Sequence, residues 1–421
     1  MPMNLGWTHV SDRDVRAAAS SLKGGGQGVV DEVGVRVLHS LYADRFFPGT
    51  SVQQTRLRYI YFVPWLLQRA WEDRLRRGQV LSALEASETQ VCQSLIAGDG
   101  AAKGIVGVSQ PGEPVAQPPR ATYWGLLCLL GTIPQHPRSE RSQSLSELIQ
   151  TWPDRRARVV DDDEGTRIAG GALAVDAGVP MPTDFPNGLL KMALTDREKK
   201  VAKSRLQSIR QFGASAGPRS LLAGLAESDA WPGARALLAP EAADLRREAG
   251  ARGTEDAAAL DRAARAAALG SVVRAIYAAL LEAECEADRR AVGREHRDAL
   301  AQATDEHGGF ASALDLDAVR NDAPAWHGSH RALRSGSPVR AVLDETVAWL
   351  SGGAGPVPSS LRRSYVHAEF RRKLQRARLS VGAVALRQVW DPDKHGWPAP
   401  LHFRVDVVDQ FLVDLHGSLG K

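Results

Sequence analysis

The stretch that decides the fold runs from Asp31 to Trp71 and reads DEVGVRVLHSLYADRFFPGTSVQQTRLRYIYFVPWLLQRAW. Ser51 followed by Gln54 is typical of a capping box, so the pattern predicts a helix beginning at Val52. Pro64 removes one backbone donor, and we expect it to kink this helix or to end its first part. Apolar residues at helical spacing predict the buried face: Leu57, Ile60, Val63, Leu67, Ala70 and Trp71.

Beyond this stretch the chain continues as a series of helical patterns. We expect the first helix to reach Arg77, with Gly78 as its stop, and a second helix over residues 81–96. Thr195 and Glu198 form another capping box, which predicts a helix with an apolar face at Ala202, Leu206, Ile209 and Phe212. Strand patterns are few. The sequence therefore predicts a mainly α, multi-helical protein with few short strands.

The chain has 421 residues, which is longer than chains that usually fold around one hydrophobic core, so two or three domains are expected. Gly- and Pro-rich stretches indicate the boundaries. We expect an N-terminal helical domain over 1–140, a linker or irregular insertion over 141–192, a helical middle domain over 193–350 and a basic C-terminal domain over 361–421.

Composition narrows the class of protein only slightly. The net charge of +4 is mildly basic, and a charge this small implies nucleic-acid binding only if it is locally clustered. Three cysteines stand far apart, which argues against a disulfide framework and a cysteine-based zinc site. No signal peptide and no apolar run of membrane-spanning length is evident. We therefore expect a cytoplasmic protein without membrane contact.

The strongest charge feature is a basic segment over residues 362–387. It holds one acidic residue, Glu369, among eight basic ones: Arg362, Arg363, Arg371, Arg372, Lys373, Arg376, Arg378 and Arg387. Its predicted apolar stripe comprises Val366, Phe370, Leu374 and Ala377. Such a helix can lie along a phosphate backbone, where each arginine releases counterions. A solvated face paired with acidic residues, or a docking surface for another protein, would give the same pattern.

A second basic group follows the capping box at Thr195. It comprises Arg197, Lys199, Lys200, Lys203, Arg205 and Arg210. A solvated helix face is the ordinary interpretation of such a group. Because two basic groups in one chain favour nucleic-acid binding, Lys199, Lys200 and Lys203 are further candidate contacts.

Two polar runs invite a chemical interpretation and lack the spacing for it. Residues 23–28 (KGGGQG) have neither the ending of a P-loop nor the spacing of a dinucleotide turn, so we expect a plain loop. Residues 161–164 (DDDE) are consecutive and do not converge on one cation, so we expect a solvated acidic loop.

Two pairs of residues suggest metal sites that remain incomplete. Glu282 and Glu286 lie one helical turn apart, and an ion pair between Glu286 and Arg290 is the simpler interpretation. His327 and His330 lack a third ligand nearby. We expect no metal and no cofactor, and no complete catalytic motif is present.

Charged residues within the opening stretch lie among bulky apolar ones. Arg56 and Arg58 need carboxylate partners if they are buried, and Asp44 and Glu32 are the nearest candidates. The alternative is a site for an anionic ligand. Its residues would come from Asp44, Gln54, Arg56, Arg58 and Tyr59, with Gln53 beside them.

The block from Ala43 to Pro64, ADRFFPGTSVQQTRLRYIYFVP, resembles the signature of an uncharacterised bacterial family, a domain of unknown function. The Leu5-Gly6-Trp7 start and the element from Tyr123 to Gly131 are also similar. The resemblance implies no activity and no catalytic residue. Members of such a family lie beside helicases and phospholipase D-like nucleases in defence-like loci, which implies an accessory subunit in an anti-phage system.

Three hypotheses about function follow. The favoured one is a nucleic-acid-binding or scaffolding subunit of a bacterial anti-phage system, with no catalysis assigned to it. DNA would contact Arg371, Arg372 and Arg376, and a helicase or phospholipase D-like nuclease would be the protein partner. The first alternative is a phosphodiester-acting enzyme, a nuclease, with its site near Asp44, Arg56 and Arg58. The second is a protein–protein adaptor without nucleic-acid contact.

Overall fold

The structure is a computed structural model that describes residues 31–100, 102–134, 142–152, 173–228, 233–250, 257–394 and 398–417. The predicted loops at residues 23–28 and 161–164 lie outside the described residues, as does the Leu5-Gly6-Trp7 element.

The described ranges contain seventeen α-helices and no strand, which confirms the predicted mainly α fold. In place of the expected short strands, the described ranges contain an isolated bridge between Arg210 and Arg219. In chain order the helices are α1 (Arg36–Phe46), α2 (Tyr59–Glu72), α3 (Arg77–Asp99), α4 (Pro119–Thr122), α5 (Trp124–Leu129), α6 (Leu145–Gln150), α7 (Asp196–Gln207), α8 (Leu221–Glu227), α9 (Ala243–Ala249), α10 (Ala257–Ala287), α11 (Glu295–Ala311), α12 (Leu316–Asn321), α13 (Gly328–Ala332), α14 (Pro338–Ser351), α15 (Ser359–Lys373), α16 (Val384–Gln388) and α17 (Val405–His416).

The predicted helix start at Val52 is wrong, because residues 51–54 form a turn and α2 begins at Tyr59. The Gln54 side chain does accept the Ser51 N–H at 3.1 Å, as a capping box requires. Its amide, however, donates to the carbonyls of Gly49 and Thr122 at 3.1 and 2.9 Å. Gln54 therefore joins this turn to α4. The capping-box spacing here belongs to a contact between two segments and not to the start of a helix.

Helix α2 does not end its first part at Pro64, so that alternative is wrong, and its C-terminal end also departs from prediction. It continues through Pro64 to Glu72, because the large apolar side chains on both sides of the proline are buried and hold the helix in place. The predicted extension to Arg77 is wrong, since Arg77 and Gly78 open α3. The capping box at Thr195 and Glu198 is confirmed at the start of α7.

Helix α10 lies at the centre of the fold and packs against α1, α9, α11, α12, α14 and α16. It is long and apolar enough to cross a membrane by length and composition, and 89% of its most apolar window is buried inside the protein. Gly270 allows a close approach of the segment after Pro398, since a Cβ there would lie 2.4 Å from the Leu401 side chain. The Leu401 N–H donates to the Ala267 carbonyl at 3.1 Å and fixes that segment on α10.

The buried apolar residues form one continuous cluster from Val33 to Leu415. This cluster crosses the domain boundaries expected near residues 140, 193 and 361, and those boundaries stay predictions. The C-terminal helix α17 packs on α7 and α8, and Phe403 just before it packs against Tyr42 of α1, so the two ends of the described chain share one core.

A buried carboxyl on α3 makes stability depend on pH. Burial raises the pKa of Glu88 to about 7, against the lowering effect of Arg120, whose backbone N–H donates to it at 2.8 Å. A raised folded-state pKa means that this contribution is complete below pH about 4.5 and is lost as pH rises through 7. Between those values we expect the unfolding free energy to fall by up to roughly 3 kcal/mol relative to a Glu88→Gln variant.

Urea unfolding of both proteins from pH 4.5 to 8 measures this difference. Parallel pH profiles for the wild type and Glu88→Gln would contradict the assignment.

Candidate nucleic-acid interface

A cleft of about 640 Å³ opens between α1, α13, the start of α14 and α15. We call it the α1–α15 cleft. Asp44 and Arg371, which were named independently from the sequence, both line this cleft. Its charged and histidine lining residues are Asp31, Arg36, Asp44, His327, Arg371 and Arg372. The N-terminal and C-terminal candidate residues therefore share one surface, which sequence distance alone did not indicate.

Asp44 lies in the wall of the α1–α15 cleft and is paired there. Its carboxylate contacts the Arg404 guanidinium at 3.0 Å and the His327 ring nitrogen at 3.3 Å. Asp44 therefore does not partner Arg56 or Arg58, and that predicted pairing is wrong. Glu32, the other predicted partner, contacts Lys373 and Arg378 instead.

Basic side chains lie around the buried His39 of α1. The pKa of the buried His39 is lowered to about 3, chiefly by burial and further by His402, Arg404 and Arg36. His39 is therefore neutral at physiological pH, and Arg36 lies exposed on the same helix. This local excess of positive charge favours an anion in the cleft.

Most basic residues of segment 362–387 are held by carboxylates. Five of the eight make ion pairs: Arg362 with Glu284, Arg372 with Asp31 at 2.6 Å, Lys373 with Glu32 and Glu369, Arg378 with Glu32 at 3.9 Å, and Arg387 with Asp288 at 2.5 Å. Their charge is therefore largely compensated within the protein, as the solvated-face interpretation expected.

Three arginines of this segment remain available to a ligand. Arg363, Arg371 and Arg376 are exposed, and within the described residues none of them makes an ion pair. Arg363 and Arg371 lie eight positions apart, with the exposed His367 midway, and so share one side of α15. Arg376 follows in a short 3₁₀ turn after the helix.

The buried stripe predicted for α15 is wrong at two of its four positions. Phe370 and Leu374 are 47% and 61% exposed. The residues that do face the core are Leu361, Tyr365, Ala368 and Glu369. The shift arises because the Glu369 carboxylate, rather than an apolar side chain, fills the position against Tyr277, whose hydroxyl donates to it at 2.6 Å.

The basic group on α7 divides into structural and exposed members. Arg205 pairs with Asp176 at 2.9 Å and donates to the Thr132 hydroxyl at 2.7 Å. Arg197 and Lys200 are exposed, and Lys199, Lys203 and Arg210 are half-buried. Because α7 packs on α8 and α17, whereas α15 packs on α14, the two basic groups belong to different parts of the fold.

The conspicuous arginines of the opening stretch join distant segments. Arg56 donates to both Asp414 carboxylate oxygens at 2.9 and 3.1 Å, and the Leu57 N–H donates to the same carboxylate at 2.7 Å. Arg58 pairs with Glu198 at 2.9 Å and also donates to the Lys191 carbonyl. Both guanidinium groups therefore connect the start of α2 to other elements, α17 and α7.

Two tyrosines complete this connection. The Tyr59 hydroxyl accepts the Val106 N–H at 2.9 Å, and burial raises the pKa of Tyr59. The Tyr123 hydroxyl accepts the N–H groups of Thr55 and Arg56 at 2.8 and 3.0 Å, and burial raises its pKa to about 12. Asp44, Gln54, Arg56, Arg58 and Tyr59 thus bond to different partners and do not converge on one ligand.

The carboxylate pair on α10 also has other partners than predicted. Glu282 and Glu286 both bind Arg297, at 3.0 and 2.8 Å, so the predicted pair of Glu286 with Arg290 is wrong. Arg290 donates instead to backbone carbonyls, including that of Trp390 at 2.7 Å. Across the described ranges, no group of three or more His, Cys, Asp or Glu side chains could hold a metal ion.

Sequence reasoning missed Arg36, which lines the α1–α15 cleft, and Arg404, which pairs with Asp44. Neither stands in a charge run, and their places depend on the packing of α1 against segments distant in the sequence. The isolated Arg36 at the first position of α1 was the available signal, because most basic residues favour the last turn of a helix.

Fold and interface together define a mainly helical protein with a positively charged cleft. Residues 4–148 match the model of a family described as a family of unknown function (DUF6361). This match includes the block from Ala43 to Pro64 and confirms, for that part of the chain, the expected relationship to an uncharacterised family. No curated protein and no solved structure matches the chain.

Proposed function

We propose that the protein binds nucleic acid through its phosphate backbone, using the exposed side of α15. One observation carries the proposal: Arg363, Arg371 and Arg376 are exposed, and in the described ranges no carboxylate pairs with them. Elsewhere in this segment most arginines and the lysine are compensated. Free guanidinium groups are suited to bidentate contact with phosphate oxygens.

The spacing of these arginines supports contact with one strand. Arg363 and Arg371 are separated by about 12 Å along the helix axis, at 1.5 Å per residue. One strand of a duplex advances about 3.4 Å per phosphate, so the two side chains reach phosphates about three or four nucleotides apart. Neither contact reads a base, and we therefore expect binding that depends weakly on sequence.

Replacing Arg363, Arg371 and Arg376 together with glutamine is expected to weaken DNA binding roughly 10- to 100-fold near 100 mM salt, because three phosphate contacts are lost. Fluorescence anisotropy with 20-nucleotide single-stranded and duplex DNA measures the affinity. The matched control replaces Arg74, Arg77 and Arg289, three exposed arginines on other elements, with glutamine. Equal loss of affinity in both triple variants would reject the assignment to α15.

The proposed setting is an accessory role in a bacterial anti-phage system in the cytoplasm, with a helicase or a phospholipase D-like nuclease as partner. This part of the proposal is supported by the resemblance of the opening block alone. Co-purification of the protein with the products of neighbouring genes, with and without nuclease treatment, tests it. Recovery of no such partner would argue against the setting while leaving DNA binding intact.

A second candidate function, docking of a protein partner, is favoured by Phe370 and Leu374. Both are exposed large apolar side chains beside Arg371, and aromatic residues with arginine are enriched at protein interfaces. A Phe370→Ser/Leu374→Ser variant separates the candidates. Unchanged DNA affinity with lost partner binding supports an adaptor, whereas lost DNA affinity assigns these side chains to the nucleic-acid interface.

A further inference from the structure

The α1–α15 cleft has a feature that backbone binding along α15 does not require. Arg36 and Arg371 come from different helices and both line it. Both are exposed, and among the described residues neither makes an ion pair. Two guanidinium groups that line one cleft without carboxylate partners leave it with an excess of positive charge, which favours a dianion there.

The acidic residues of the cleft do not cancel this charge. Asp31 pairs with Arg372 at 2.6 Å and also accepts the Gly34 and Arg36 N–H groups at 2.8 and 3.2 Å. Asp44 pairs with Arg404 at 3.0 Å. Each carboxylate is therefore already matched by its own arginine, which leaves the charges of Arg36 and Arg371 in excess.

The size and lining of the cleft indicate what accompanies the anion. Its volume of about 640 Å³ lies in the range of sites for small organic ligands, roughly 300–1,000 Å³. The half-buried apolar side chains of Val37 and Val339 line the cleft beside the arginines. The occupant therefore combines a compact negative group with an apolar, partly desolvated body.

We infer that the α1–α15 cleft receives the terminal nucleotide of a nucleic-acid strand and that Arg36 and Arg371 bind its terminal phosphomonoester. A phosphomonoester carries close to two negative charges at neutral pH, whereas a backbone phosphodiester carries one. Arg371 belongs both to the exposed side of α15 and to the cleft, so a strand that follows the helix can place its end there. This inference rests on the proposed function and adds the strand end as the preferred substrate class.

The test uses three internally labelled 12-nucleotide DNA strands that carry a 5′-phosphate, a 3′-phosphate or no terminal phosphate. Wild-type protein is expected to bind one phosphorylated strand about 30-fold tighter than the unphosphorylated one, since the terminal phosphate adds close to two charges and each contributes about 1 kcal/mol near a cation in water. Arg36→Gln is expected to remove this preference, so that phosphorylated and unphosphorylated strands bind with equal affinity. Arg77→Gln is the matched control, because Arg77 is the exposed first residue of α3 as Arg36 is of α1.

The outcomes separate the inference from the proposed function. Equal affinity for all three strands overturns the inference and leaves backbone binding standing. Equal weakening of all three strands by Arg36→Gln overturns it too, because Arg36 then acts as a general backbone contact. If no strand binds, the proposed function fails. Calorimetry with adenosine monophosphate, compared with adenosine, then tests whether the cleft binds a phosphomonoester. Binding of the monophosphate that Arg36→Gln abolishes upholds a phosphomonoester site, and no binding rejects it.

Discussion

Replacing Glu198 with alanine is expected to lower the free energy of unfolding by about 3–5 kcal/mol, because it leaves a buried guanidinium without its partner. Arg58 is 9% exposed and Glu198 is 4% exposed, and their ion pair measures 2.9 Å. Glu198 also accepts the Thr195 N–H at 2.6 Å, so the start of α7 loses one of the two hydrogen bonds of its capping box in the same variant. Chemical denaturation followed by circular dichroism measures the loss.

Two further variants show whether this loss of stability comes from the buried ion pair between Arg58 and Glu198. A double variant, Arg58→Met/Glu198→Leu, is expected to recover most of the stability, because apolar residues of similar volume remove both buried charges. The exposed pair of Arg69 and Asp73, at 3.3 Å, is the matched control, and Asp73→Ala is expected to change stability by less than about 1 kcal/mol. A Glu198→Ala effect as small as this control would contradict a structural role for Arg58.

Glu369→Ala is expected to have a comparable effect, about 3–5 kcal/mol, since it removes a fully buried carboxylate from the centre of a hydrogen-bond network. The carboxylate accepts the Tyr277 hydroxyl at 2.6 Å and the Leu379 N–H at 2.8 Å, and Lys373 lies 3.5 Å away. The hydrogen bond from Leu379 fixes the turn that follows α15 against that helix. We therefore expect loss of Glu369 to displace Arg376 as well.

Glu369→Gln separates the charge of this side chain from its hydrogen bonds. The amide oxygen can still accept the Leu379 N–H, and the amide N–H can donate to the Tyr277 hydroxyl oxygen, so the loss is expected to be about 1–2 kcal/mol. DNA affinity should survive this substitution, because the three arginines proposed as phosphate contacts remain in place. Equal destabilisation by the alanine and glutamine variants would show that the charge of Glu369, rather than its hydrogen bonds, holds this turn.

The parts of the fold that depend on local chemistry could be predicted from the sequence. The cap at Thr195 and the buried residues Ala202, Leu206 and Ile209 follow from hydrogen bonding and spacing within a few residues. The turn at residues 51–54 shows the limit of that reasoning. Gln54 has the spacing of a capping residue, but a carbonyl of α4, distant in the sequence, decides its structure.

The candidate site was predictable only in outline. The charge run on α15 identified the helix, but it did not show that five of eight basic side chains are compensated by acidic residues from elsewhere. Those contacts join positions as distant as Asp31 and Arg372, and no local pattern encodes them. Arg36 was missed for the same reason, because its place in the α1–α15 cleft results from the packing of helices distant in the sequence.

The salt dependence of DNA affinity tests the central claim most directly. Each phosphate contact adds about 0.9 to the slope of the logarithm of the binding constant against the logarithm of salt concentration for duplex DNA. The variant that replaces Arg363, Arg371 and Arg376 with glutamine is therefore expected to bind with a slope shallower than wild type by about 3. An unchanged slope, with the fold of the variant intact, would contradict the claim that these arginines bind the phosphate backbone.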